Sequence, residues 1–157
     1  MKIKGKKIEG VNVEIIPIPR GDRDDIIFMA RAIQDMEPFE KMCPLPNPPK
    51  RKIDGVDVPQ LKDPNYLKAM SSRAEKRMAW MTITALEATE GLEWENVKAD
   101  DPSTWLQLEP ELKKAGFSAV ECQRIVQGVV NVNALSEEKI EAARERFLLS
   151  QRVASED

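Results

Sequence analysis

The apolar positions of this chain change period once along its length. They recur at every second residue near the N-terminus and at every third or fourth from residue 63 onward. In "GVNVEIIPIP", residues 10–19, Val11, Val13 and Ile15 alternate with polar neighbours, and the apolar set then shifts to Ile16 and Ile18. Alternation puts like residues on one face of a strand. The shift beside Pro17 predicts a bulge or a sheet edge, because proline has no N–H to give to a ladder. "RGDRDD" follows, a run of turn formers. In "IIFMARAI", residues 26–33, Ile27, Met29, Arg31 and Ile33 alternate against Phe28, Ala30 and Ala32. A strand fits this pattern better than a helix, although "FMARAIQDM" tolerates helical spacing. The prediction is a small sheet of two or three strands, with Gly5 and Gly10 marking further turns.

"DMEPFEKMC" predicts one short helical turn with Pro38 at its start. Residues 44–60 show no period. They hold Pro44, Pro46, Pro48, Pro49 and Pro59, with hairpin character at "KIDGVDV". Such a stretch is a semi-rigid connector.

The long element begins at Asp63. Aspartate is a good N-cap, and Pro64 suits the first helical position, where its missing N–H would be unpaired anyway. No proline or glycine interrupts the chain from there to about Ala88. Leu67, Met70, Ala74, Met78, Met81, Ala85 and Ala88 recur at spacings of three and four, which predicts one buried stripe. Gly91 is the expected C-terminal stop. Beyond it, "LEWENV" reads as a loop anchored by Trp94, and Asp101-Pro102 repeats the start signal for a helix through "STWLQL". Pro110 restarts that helix for "ELKKAG", which Gly116 ends. "SAVE", residues 118–121, is a capping box. It opens a helix with Ile125, Val126, Val129 and Val130 inside, up to a turn at Asn131 and Asn133. Ser136 caps a last helix to about Gln151, with Ile140, Ala143, Phe147 and Leu148 on its expected buried face. The expected fold is α+β, mainly α. It has a small β-containing lobe at 1–43, a proline-rich linker at 44–62, and a helical domain at 63–157 with one long helix.

Charge sharpens this picture. The net charge is −3 over 157 residues, which argues against general nucleic-acid binding. It is divided unevenly: residues 1–80 carry 16 basic and 12 acidic side chains, residues 81–157 carry 8 and 15. The halves are therefore expected to attract each other or complementary partners. No apolar run approaches the roughly 18–20 residues of a membrane span. "MKIKGKKIEG" has the cations of a signal peptide without the apolar stretch, so synthesis and residence in the cytosol are expected. There is no histidine, which removes the commonest general base and metal ligand. Cys43 and Cys122 lie far apart, and a disulfide is not expected.

Several short motifs have plain explanations. Pro46-Asn47-Pro48-Pro49-Lys50 fits a polyproline-ligand pattern, but a stiff connector explains it as well. Cys43 has no second ligand near it and reads as a small apolar side chain. Arg20-Gly21-Asp22 matches an adhesion tripeptide and reads better as a turn. Asp22, Asp24 and Asp25 fail the calcium-loop spacing, since Ile27 and Ile33 stand where glycine and glutamate are required. Glu87, Glu90, Glu93 and Glu95 surround Trp94, a setting that could raise a carboxyl pKa for acid–base work, yet a solvated helix end suffices. No glycine-rich phosphate loop occurs, and no cofactor is implied. The strongest positive feature is the set Met70, Met78 and Met81, with Trp80 and Ile83 beside it. Either it packs under the C-terminal helices, or it forms a groove for a partner helix, since methionines repack around varied surfaces.

Four stretches carry a resemblance: "PFEKMCPLPNPP" at 38–49, "ALEATEGLEWENV" at 85–97, "DPSTW" at 101–105, and "GFSAVECQRIVQGVVNVNALSEEKIEAARERFL" at 116–148. In this order and spacing the chain resembles small tail-assembly (chaperone-like) or minor tail proteins of long-tailed bacteriophages. The resemblance implies a non-enzymatic role in the host cytoplasm during assembly, either as a chaperone of the tape-measure or tail-tube protein or as a virion component. It implies phage structural proteins, or further copies of the chain, as partners, and it assigns no functional residue.

Overall fold

The structure, a computed structural model, describes residues 1–134 and 136–155, with side chains up to Gln151. In chain order the elements are β1 (Lys2–Ile3), β2 (Lys6–Lys7), β3 (Val13–Ile18), β4 (Ile26–Arg31), α1 (Glu37–Met42), β5 (Lys50–Ile53), β6 (Val56–Pro59), α2 (Pro64–Leu86), a 3-10 turn (Trp105–Gln107), α3 (Leu108–Lys114), α4 (Ala119–Asn133) and α5 (Glu137–Ser155). The class is α+β and mainly α, as the pattern predicts. The strands form three separate antiparallel pairs: β1–β2, β3–β4 and β5–β6.

The β3–β4 pair runs from Val13 opposite Arg31 to Ile18 opposite Ile26 in unbroken register, so Pro17 marks an edge and not a bulge. The Thr89 hydroxyl accepts the Met29 N–H at 2.9 Å and donates to the Met29 carbonyl at 3.0 Å. The Met29 backbone groups therefore face away from β3. Because outward and inward backbone groups alternate along an antiparallel ladder, Val13, Ile15 and Pro17 turn theirs to the open edge of β3. Pro17 thus lacks an N–H only where the pair does not use one. Side chains alternate as well: Ile16, Ile18, Phe28 and Ala30 point into the core, while Val13, Ile15, Ile27 and Met29 are exposed on the outer face.

Those four inward residues join Phe39, Trp80, Ile83, Leu86, Trp105, Ile125 and Val129 in one buried cluster. The boundary expected at residue 43 therefore does not divide the core, which strands and helices build together. Phe39, Trp80 and Trp105 stack at its centre, with ring centroids 5.6–6.5 Å apart. The Trp105 indole N–H is satisfied by the carbonyls of Lys98 and Ala99, at 3.1 and 3.2 Å. The connector contributes the β5–β6 hairpin, turning through Asp54 and Gly55, both at positive φ. Arg73 of α2 ties the start of the connector down. It donates to the Cys43 carbonyl at 2.9 Å, pairs with Glu40 and lies 4.9 Å over the Phe39 ring.

α2 is one unbroken helix with Asp63 as N-cap, accepting from the N–H groups of Asn65 and Tyr66. At 1.5 Å per residue its 23 residues span about 34 Å. It ends at Leu86, short of Ala88, and Gly91 serves a later turn at φ +73°. The expected stripe is corrected too. Leu67 is 52% exposed and Ala74 is exposed, while Trp80, Thr82, Ile83, Ala85 and Leu86 are buried. The first turns project from the core. The last two are enclosed on most sides by β4, α4 and the 3-10 turn, so burial there follows enclosure and not a single face.

α4 begins with the predicted capping box: Ser118 Oγ accepts from the Glu121 N–H, and Glu121 accepts from the Ser118 N–H. Its core face is Cys122, Ile125, Gly128, Val129 and Val132; Val126 and Val130 are only half-buried. The helix ends at Asn133, where the turn was expected, with the Ala134 N–H donating to the Asn131 carbonyl. Asn133 Oδ1 accepts the Ile33 N–H at 2.8 Å and fixes the end of the strand pair. α5 starts at the predicted cap, with Ser136 accepting from Lys139, but Ile140, Ala143, Phe147 and Leu148 are exposed and not buried.

Candidate functional site

An apolar groove crosses the faces of α2, α3 and α4. Two adjoining cavities form it, of about 670 and 330 Å³, sharing Leu108, Glu109 and Val126. Its floor and walls are Met78 of α2, Leu106 and Leu108 around the 3-10 turn, Leu112 of α3, and Val120 and Val126 of α4. Val120 is 74% exposed and Leu106 44%, large values for apolar side chains on ordered helical turns. Val120 is there because the capping box fixes α4 to begin at Ala119, which leaves the second helical position facing out over α3. Glu75 and Glu109 stand on the α2 and α3 sides, and Arg124 on the α4 side. Glu109 is paired with Lys113 at 2.6 Å. The Cys122 thiol lies at the groove floor, and burial pushes its pKa up.

The structure separates the five residues that the sequence grouped as a partner surface. Met78 lines the groove. Met70 is half-buried two turns earlier, and Met81 is half-buried against the core. Trp80 and Ile83 are 3% and 1% exposed and cannot meet a partner in the folded chain. The enclosed end of α2 holds them there. Leu106, Leu112 and Val120 escaped the sequence reading, and Val126, expected inside the core, is half-buried and lines the groove instead. Val120, an apolar residue directly inside a capping box, was the available signal.

A second apolar surface is the outer face of β3–β4, where Val13, Ile15, Ile27 and Met29 are 39–61% exposed. It borders the open edge of β3.

The other motifs resolve into structure. Arg20 pairs with Glu121, lies 4.9 Å over the Phe117 ring, and takes the Asp25 carboxylate on its own N–H, so the tripeptide arginine fastens the β3–β4 turn to α4. A cavity of about 220 Å³ opens beside Trp94, Glu93 and Glu95. There Glu95 is ion-paired with Lys114 at 2.8 Å, which holds its carboxyl below the usual range, opposite to what a general acid needs. Glu111 accepts the N–H groups of Glu95 and Asn96 and ties that loop to α3. Both cysteines are free thiols. Among the described residues, no group of three or more carboxylates or thiols is placed to hold a metal, and no helix is long and apolar enough to cross a membrane.

No protein-family model, curated protein or solved structure matches this chain.

Proposed function

We propose that this chain is a non-enzymatic protein of bacteriophage tail assembly, a chaperone that binds the tape-measure or tail-tube protein in the host cytoplasm. The family reading comes from the sequence resemblance. The observation that supports a binding role is the open groove at Met78, lined by aliphatic side chains and edged by Glu75, Glu109 and Arg124. Its apolar floor and charged lips suit an amphipathic helix laid along it, with anchors at helical spacing. A long helical client offers such segments repeatedly. The test is co-expression with the tape-measure and tail-tube proteins of the same phage. The wild-type chain is expected to co-purify with one of them, and a folded Met78→Asp/Val120→Asp variant is not. Undiminished co-purification by that variant would overturn the assignment to the groove.

The open edge of β3 favours a second reading, a minor tail component that extends a neighbour's sheet. Val13 and Ile15 present edge N–H groups, and the exposed apolar face lies beside them. Mass spectrometry of purified particles separates the two readings. Stoichiometric copies in the virion support the structural role, and absence supports the chaperone.

A further inference from the structure

α5 is a helix without a cover. Its 19 residues extend about 28 Å, and among the described residues no other element packs extensively along it. Its first turn is tied to α4 by Lys139 Nζ donating to the Asn131 carbonyl at 2.6 Å. Beyond that tie, Ile140, Phe147 and Leu148 stand at helical spacing on one side, 37–57% exposed, with Leu149 beside them at 59%. Most helical stability in proteins comes from packing an apolar face rather than from propensity, so an amphipathic helix gains from a cover. The same chain carries an apolar groove without a cover, between α2, α3 and α4.

We propose that the two surfaces satisfy each other between two copies of this chain: α5 of each protomer seats in the α2–α3–α4 groove of its partner, giving a two-fold exchanged dimer. Charge selects this occupant. Arg144 and Glu141 pair with each other at 2.6 Å, as do Glu109 and Lys113, which leaves Arg146 on one flank of the stripe for Glu75 of the groove and Glu145 on the other flank for Arg124 of the opposite lip. Area selects the reciprocal arrangement. One stripe of three or four apolar residues pressed on another α5 is small against the roughly 1,200–2,000 Å² that stable interfaces bury. Exchange covers two stripes and two grooves with one symmetry operation. The α5 stripe is exposed in the chain that carries it, which leaves it free for a second molecule, as in helix-swapped dimers. The proposal concerns the same groove at Met78 that the proposed client would use, so the partner's α5 holds it until a client helix displaces that α5; it does not need the phage reading, because its readout is the mass of the purified chain alone.

The experiment is light scattering on the full chain after size exclusion, over a wide range of concentration, with thermal melts to confirm folding. The wild type is expected at twice the chain mass. Phe147→Asp/Leu148→Asp removes the helix stripe, Val120→Asp damages the groove, and each variant alone is expected at the chain mass. Mixing the two variants is decisive. The intact α5 of the Val120→Asp protein can seat in the intact groove of the other variant, so a heterodimer returns with one contact of the two. A wild-type chain that stays monomeric throughout the range overturns the proposal. So does a dimer untouched by Val120→Asp, which would mean α5 pairing with α5. The one-contact heterodimer is weaker than the wild-type dimer, so two folded variants that do not recombine even far above the concentration at which the wild type dimerises overturn it as well.

Discussion

Ile16 occupies the space where a side chain on Gly128 would stand: a Cβ built on Gly128 would lie 2.3 Å from Cδ1 and 2.5 Å from Cγ1 of Ile16. Glycine inside a helix costs roughly 1 kcal/mol against alanine. Here that cost secures the contact on which β3 lies against α4. Ile16 is 2% exposed, so its side chain must shift within the packed seam to make way. Gly128→Ala is therefore expected to lose about 1–2 kcal/mol, the strain of overpacking exceeding the gain in helix propensity. In an Ile16→Ala background both clashing atoms are gone, and the same substitution should become neutral or stabilising. Chemical denaturation of the four proteins measures the coupling. A Gly128→Ala protein more stable than wild type would mean that the approach of strand and helix is looser than described.

Trp105 holds the centre of the aromatic cluster. It is fully buried, stacks on both Phe39 and Trp80, and places its N–H on two loop carbonyls. Trp105→Ala is expected to cost about 3–5 kcal/mol, a large fraction of the roughly 5–15 kcal/mol that holds a domain folded. Trp105→Phe keeps most of the apolar volume but strands the carbonyls of Lys98 and Ala99, so it should cost less. Denaturant midpoints order the three proteins. An alanine variant with near wild-type stability would contradict the central place given to this ring.

What the sequence made legible, and what it hid, follows from how local each interaction is. Asp63-Pro64 and the Ser118–Glu121 box are written within four residues, and both start helices where expected. The strand pair was legible because Ile16 and Ile18 answer Phe28 and Ala30 across a short turn. For Trp80 and Ile83 the spacing left two readings open, core packing or a partner groove, and could not choose between them. Trp80 lies against Phe39 and Trp105, residues that the spacing along α2 says nothing about. The apolar face of α5 has the period of a buried one, yet the chain itself supplies nothing to bury it. Of the candidate site, only Met78 was visible in advance, since a groove made by three helices appears only once those helices are placed.

Acid should weaken the fold through three carboxylates, Glu95 exposed and Glu121 and Asp101 half-buried. The Ser118 backbone N–H and then the Arg20 guanidinium hold Glu121 below its ordinary pKa; Lys114 does so for Glu95, and Ser103 for Asp101. A carboxylate depressed in the folded state adds stability above its unfolded pKa, and that stability is lost as pH falls through the folded value. The thermal midpoint is therefore expected to hold from neutrality down to about pH 4 and to drop below it. Arg20→Met should flatten part of that drop, as Glu121 moves back toward its unfolded value. High salt should act in the same direction on Glu95, whose partner is a solvated lysine. At the alkaline end Lys113 and Lys114 are raised by Glu109 and Glu95, so their contribution is present below about pH 10 and lost above it. An acid limb unchanged by Arg20→Met would remove Glu121 from this account.

The two thiols should report on opening of the fold. Cys122 is 6% exposed, and burial raises its pKa, so little thiolate is present at neutral pH and little of it is reachable. Cys43 is half-buried at the end of α1, beside the exposed connector. An alkylating reagent is expected to modify Cys43 first and Cys122 only through unfolding. Because Cys122 sits on the same face of α4 as Gly128, Gly128→Ala should speed its labelling in proportion to the stability lost and leave the rate at Cys43 nearly unchanged. Peptide mapping at timed intervals resolves the two sites. Equal rates at both cysteines in the native protein would show that the first turns of α4 open without the rest of the core.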